Sequence, residues 1–392
     1  MQIIKHCLSK LKSFNWVESM RRKKTLRIIN PNPLQAGHRL RMLYLLESQA
    51  LRSHCNVYAN CLTHPIKLNF QKAGPLRKFL EVVYWGLKIE DRSLLLKFAY
   101  LFASSSTCVF SKPYHAYHLK AMKIARFFGK RIISDFCDFH ESRSEFIQAA
   151  LLSDIIVCPT ETLAARVKSI SGSKASFSVI EDLLDPVAKA NPSPLLKAHE
   201  IQTEKPTVLW FGLAFAGDEP THSFRHFSQL SINCLQEINR LGFTIEVVCE
   251  DPERSIQFLS EHANLSLQGK VKAIEWSPNA MRNALARPGI VVIQYPEPVS
   301  SCEKSSNRIE LALYLGKEVY TNGWPPSLDA ELKPFVNILT GSTLPSSALT
   351  LNDPNLVEKK SIVNAYLDQK QNRIQQKWDE LIFQASDLRR SR

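Results

Sequence analysis

The chain has 392 residues, 44% of them apolar and 22% charged. That is enough length for two or three domains and enough apolar content for sizeable cores, and it excludes a disordered, collagen-like or small disulfide-stapled protein. The formal charge of +13 is unevenly placed: residues 1–24 carry +6, residues 25–150 carry +10 and residues 151–392 carry −3. An excess confined to one end points to an anionic partner there: nucleic acid, a membrane surface or a phosphorylated substrate. The chain has no zinc-finger spacing, no basic heptad region and no aromatic RNP-type pattern, so no nucleic-acid partner is expected. Its nine cysteines form no C-x-x-C pair, which fits a reducing cytosol.

The first segment, MQIIKHCLSKLKSFNWVESMRRKK (1–24), sets Ile4, Leu8, Leu11 and Phe14 at helical spacing beside Lys5, Lys12 and the Arg21–Lys24 cluster. It reads either as a short interfacial helix on anionic lipid or as a solvated basic tail. It has no signal-peptide cleavage site, and no run approaches the ~18 uncharged apolar residues of a spanning helix. The expected location is cytoplasmic, with the inner face of the membrane as a peripheral site.

Short apolar, β-branched runs then alternate with helical patterns. TLRIIN (25–30), CNVYAN (55–60), TCVFSK (107–112), RIISDF (131–136), DIIVCP (154–159) and FSVIED (177–182) are predicted strands. Helices are predicted from about His38, through a longer insertion at 76–101, and over 114–128, 141–152 and 160–170. Residues 189–206 are polar and Pro-containing and read as a linker. A second series follows: TVLWFG (207–212), TIEVVC (244–249), VKAIEW (271–276), GIVVIQ (289–294), KEVYTN (317–322) and FVNILT (335–340). Runs of this length between helices imply parallel sheets covered on both faces. The predicted class is α/β, with two doubly wound, Rossmann-like domains, 25–188 and 207–350, facing a cleft. Residues 351–392 are predicted to form bracing helices, with Ile362, Tyr366, Ile374, Trp378 and Ile382 as the buried stripe.

In such domains ligands bind beyond the carboxyl ends of the strands. CEKSSNRIELALYLGKEVYTN is predicted to be an amphipathic helix over Arg308–Leu315, with Ser305, Ser306 and Asn307 as caps and Gly316 as the stop. Its free N–H groups and dipole favour an anion, Lys304 and Arg308 add charge, and Glu310 lies where a carboxylate can accept from two ribose hydroxyls. TVLWFGLAFAGDEPTH is a strand with a Gly loop: Gly212 and Gly217 would let backbone approach a phosphate, with Arg225 as a partner. On the first domain, three loops gather Gly37, His38, Arg39 and Arg41; Lys112, Tyr114 and His115; and Asp135, Asp138 and His140. These groups suit phosphate recognition and acid–base work. Strand pleating sends Asp135, Asp138 and His140 to different faces, so no metal site is expected.

These features together resemble the GT-B glycosyltransferases, most like the large retaining class numbered family 4. KSSNRIELALYLGKEVYTN carries the likeness, with SDIIVCPTETLAARV followed by VIEDLLDP, whose Glu181–Pro186 stretch is similar to that class's "pro-asp-gly-val-asp" turn. TVLWFG resembles the first strand of its nucleotide domain. The class has two Glu residues eight positions apart; with Glu310 as the second, Cys302 stands at the first and Ser305 at the intervening glycine. The resemblance implies metal-independent transfer of a sugar from a nucleoside-diphosphate sugar, with retention and no cofactor, in synthesis of a cell-surface glycan. The donor would sit on the second domain against Gly212, Gly217, Arg225, Lys304, Ser305, Asn307, Arg308 and Glu310. A glycan or phosphorylated, lipid-linked acceptor would sit on the first, with Asp135, Asp138 or His140 as base if the reaction inverts. The alternatives are a non-catalytic GT-B module that binds a nucleotide sugar or a protein, and a nucleotide-sugar epimerase.

Overall fold

The computed structural model describes residues 24–29, 40–60, 106–139, 144–185, 206–263, 271–299, 303–339, 341, 343–345 and 356–387. The chain divides into two compact units, one of residues 1–158, 166–179 and 375–392, the other of residues 159–165 and 180–374.

The first unit holds a six-stranded parallel sheet. In chain order its elements are β1 (Lys24–Ile29), α1 (Leu43–Glu47), α2 (Gln49–His54), β2 (Cys55–Asn60), β3 (Thr107–Ser111), α3 (Ala116–Phe127), β4 (Arg131–Asp135), α4 (Ser144–Leu152), β5 (Ile155–Cys158), α5 (Glu161–Ser171), whose first turns cluster with the second unit, and β6 (Ser176–Val179). The strands lie in the order β2-β1-β3-β4-β5-β6. β3 and β5 are buried at every position, as strands covered on both faces must be. The six predicted strands are all present, each ending within a few residues of its predicted limit. The helix predicted from His38 begins in residues outside those described and is seen as α1 and α2, separated at Ser48, whose hydroxyl accepts from Leu51 N to cap α2. The insertion predicted over 76–101 lies outside the described residues.

The second unit holds another six-stranded parallel sheet. It runs β7 (Thr207–Phe211), a two-residue hairpin of β8 (Phe215–Ala216) and β9 (Glu219–Pro220), α6 (His222–Asn233), α7 (Leu235–Leu241), β10 (Thr244–Cys249), α8 (Pro252–Ala263), β11 (Val271–Glu275), α9 (Pro278–Ala286), β12 (Gly289–Val292), α10 (Asn307–Tyr314), β13 (Glu318–Thr321), a 3₁₀ turn (Ala330–Phe335), β14 (Val336–Ile338) and α11 (Leu356–Asp387), whose residues from Gln375 on belong to the first unit. The order β11-β10-β7-β12-β13-β14 is the doubly wound one, with strand order reversing between β7 and β12. The period of two in β7 decides the packing. Val208 and Trp210 face a cluster with Phe224, Phe227 and Ile238 from α6 and α7, while Leu209 and Phe211 face one with Met281 of α9, Ile309 of α10 and Val363 and Leu367 of α11.

α11 is a single 32-residue helix. Its buried stripe begins one position later than the spacing predicts: Ile362 is exposed, and Val363 and Leu367 are buried with Ile374, Trp378 and Ile382. No described helix is long and apolar enough to cross a membrane.

Lys317, just before β13, donates from Nζ to the Arg287 carbonyl. Burial first and Lys360 second, opposed by Glu246, bring its ammonium from 10.5 down to about 8. Between those two pH values the unfolded chain holds a proton that the folded chain has shed, so stability rises with pH there, by at most about 1.4 kcal/mol per pH unit. Urea midpoints should climb across that window, and Lys317→Met should flatten the climb.

Candidate functional site

In the second unit, the strand ends around the β7–β12 switch point meet the start of α10. Gly316 follows α10 with φ +77°, where the Gly316 and Lys317 N–H groups bond back to Leu313 and Ala312. The beginning of the helix differs from the predicted cap. Ser306 is the N-cap residue but makes no cap bond; its hydroxyl donates instead to Glu310 Oε1 at 2.5 Å.

Glu310 is thus the centre of a buried cluster. It is 3% exposed, and both its hydrogen bonds, from Ser306 and from Lys370 Nζ at 2.8 Å, fall on Oε1. Lys370 is 4% exposed and also lies 2.8 Å from Asp329 Oδ2. Burial acts to lower the Lys370 ammonium, but Glu310 and Asp329 outweigh it and hold it above its ordinary value. Beside the cluster, Ser305 Oγ and Asn307 Nδ2 both donate to Asp182 Oδ2, at 2.5 and 3.2 Å. Asp182 belongs to the turn after β6, which is tied down by Leu184 N donating to Gln371 Oε1 at 2.8 Å. Glu181, Asp182, Ser305, Asn307, Glu310 and Lys370 line one small pocket together with Pro159, Ser306 and Ser327. Three carboxylates, which only accept hydrogen bonds when ionised, thus face one space.

Other residues expected at the donor stand apart from this pocket. Arg308 turns toward the end of β7, donating from Nη1 to the Phe211 carbonyl at 3.1 Å. There Gly212 has φ +154°, and a Cβ on it would come within 2.8 Å of that guanidinium. Lys304 is exposed, and its carbonyl accepts from Ser327 Oγ. Gly217 lies in the turn of the β8–β9 hairpin, its carbonyl bound by Arg254. Arg225 is exposed in a 3.3 Å pair with Glu219. A surface pair of this kind contributes little to stability.

The first unit brings a second group of predicted residues to the ends of β3 and β4. Lys112 Nζ pairs with Asp138 Oδ2 at 2.9 Å, both partly exposed. Lys112 has a left-handed φ of +48°, a conformation costly for a side-chain-bearing residue. Burial would lower its ammonium, yet Cys137, Asp138 and Asp135 together raise it. The buried Tyr114 hydroxyl braces this loop, accepting from Cys137 N at 2.9 Å and donating to the Asp138 carbonyl at 3.1 Å. His115 is the exposed N-cap of α3.

Two expectations on this edge need correction. Asp135 and Arg41 are predicted at the solvent-facing loops, but both side chains are 0% exposed and pair at 2.6 Å. Cys137 Sγ donates to the other Asp135 oxygen and the Trp378 ring lies 5.6 Å from the guanidinium. The pleat turns Asp135 inward, where a carboxylate needs the arginine. Gly37, His38, Arg39, His140, Cys302 and the tail 1–23 lie outside the described residues.

Lys370, Asp329 and Asp182 carry the geometry of the pocket and were not among the predicted residues. The signal for Lys370 was its position on the apolar stripe of α11, between Leu367 and Ile374.

The chain matches no protein-family model and no curated protein sequence. Solved structures are similar to it over nearly their whole length. HepE of Anabaena, in complex with UDP, is 14% identical with a TM-score of 0.54, covering 92% of this chain and 100% of that one. WaaG, a glycosyltransferase involved in lipopolysaccharide biosynthesis, is 13% identical with a TM-score of 0.54, covering 91% and 99%. The E. coli trehalose-6-phosphate protein bound with UDP-2-fluoro glucose is 9% identical with a TM-score of 0.55, covering 93% and 99%. The fold of this chain is accordingly GT-B.

Proposed function

We propose that the chain is a glycosyltransferase that takes a nucleoside-diphosphate sugar as donor in its second unit. The observation that carries this reading is the buried Glu310 at the first turn of α10, held by Ser306 and Lys370 at the strand ends of a doubly wound sheet. A carboxylate with one oxygen engaged and the other left for a ligand suits a ribose diol. The neighbouring Asp182 and Glu181 suit further hydroxyl groups. The diphosphate is assigned to the α10 N-terminus and to Arg308 beside Gly212, where backbone N–H groups and a guanidinium meet developing negative charge without a metal. HepE and the trehalose-6-phosphate protein, solved with UDP and UDP-2-fluoro glucose, support a uridine donor. On the first unit, Asp138 with Lys112 is a partly exposed acid–base pair for an acceptor, which we take to be a glycan or a phosphorylated, lipid-linked molecule. Retention rests on the family-4 resemblance.

The test is thermal shift of the full chain with UDP, GDP and ADP, followed by donor-sugar release. A melting rise with at least one diphosphate and slow hydrolysis of its sugar conjugate are expected. No shift with any of them would remove the donor site.

A further inference from the structure

The residue of the pocket that its own helix does not explain is Lys370. It sits on the buried stripe of α11 among Val363, Leu367 and Ile374, where an apolar side chain would pack without cost. An ammonium in such a place is destabilising unless it is paired and hydrogen-bonded. Nζ donates to Glu310 Oε1 at 2.8 Å and makes an ion-pair contact with Asp329 Oδ2 at 2.8 Å. The next residue, Gln371, accepts from Leu184 N and so holds the turn that carries Asp182. Two consecutive residues of α11 therefore set two walls of one pocket.

We propose that Lys370 is a positioning residue for Glu310, fixing its Oε1 so that Oε2 meets the hydroxyls of a ribonucleoside diphosphate. The inference rests on the donor reading above. Its physical basis is the burial of Glu310. Burial acts first and raises the Glu310 carboxyl, Lys370 and the Ser306 hydroxyl oppose that, and Asp329 adds to the rise. Glu181 and Asp182, lining the same pocket, are further anions. Lys370 supplies the positive charge that two of these carboxylates share. Without it, Glu310 is a buried acid among anions and takes up a proton more readily. A protonated carboxyl donates where the diol also needs to donate, so recognition of the ribose weakens.

The experiment is calorimetric titration of the full chain with UDP, GDP and ADP, and then with the 2′-deoxy form of whichever binds, from about pH 6 to about pH 8.5. The wild-type chain is expected to prefer the ribonucleotide by about tenfold or more, since hydrogen bonds to a charged acceptor are the strong ones. Lys370→Gln should lose that preference at the acid end and regain part of it at the alkaline end. Lys370→Arg should keep it. A Lys370→Gln variant with wild-type preference at every pH would overturn the inference. A wild-type chain that binds nucleotide with no ribose preference would overturn it too, leaving the donor site standing; no binding at all removes both. If Lys370→Gln does not fold, Glu310→Gln is compared with Glu310→Gln/Lys370→Gln. Equal affinities, within about twofold, are expected because the lysine acts through Glu310; a further loss of about tenfold would overturn its positioning role.

Discussion

Glu310→Gln is expected to lower affinity for the ribonucleoside diphosphate by about a hundredfold, and to lower the melting temperature of the free chain as well, because the buried Lys370 then keeps only Asp329 as its charged partner. The substitution keeps the shape of the side chain and an oxygen for Ser306, but removes the charge that strengthens hydrogen bonds from two hydroxyls. Each such bond to a charged acceptor contributes about 1.5–3 kcal/mol when its partner is buried. The 2′-deoxy nucleotide should lose less than the ribonucleotide, because one of the two bonds is already missing. Isothermal titration with both ligands reads the difference directly. An unchanged affinity would show that Glu310 serves only as the structural partner of Lys370.

The largest expected effect on stability lies in the first unit. Arg41→Met or Asp135→Asn should each destabilise it by about 3–5 kcal/mol, since either leaves a charged partner buried and uncompensated. Replacing both with apolar residues, Arg41→Met with Asp135→Leu, should recover part of that loss, because a buried ion pair is hard to break but not hard to replace. Urea denaturation of the two single variants and the double variant measures the coupling. Additive losses would mean that the 2.6 Å pair stabilises nothing beyond its two separate burials. By contrast, breaking the exposed Arg225–Glu219 pair should cost less than about 1 kcal/mol.

These two sites show why the strands could be read from the chain and the sites only in part. β10 matches its predicted limits, Thr244–Cys249, because a mostly apolar, β-branched run, interrupted at Glu246, is bounded by Gly242 and Glu250. α10 ends where predicted because Gly316 alone in that stretch takes φ +77° without strain. Asp135 carried no such local mark. Its carboxylate at the end of a strand looks the same whether the pleat turns it to solvent or to the core, and its partner Arg41 stands 94 positions away. Lys370 carried only half a mark: it stands one helical turn from both Tyr366 and Ile374, on the predicted stripe, but a lysine there names no partner, and its carboxylates come from other elements.

The alternation of short apolar runs such as Val208–Phe211 with helical patterns by itself determined that this chain builds two doubly wound parallel sheets. That information is local, because pleat and helix turn repeat within a few residues. It also singled out Glu310, through a helix start that its own neighbours define. Which charges are buried together was decided only by tertiary structure. Ion pairing acts through space, so Lys370 reaches Glu310 across 60 positions and Ser305 reaches Asp182 across 123. Spacing along the chain holds no trace of either contact.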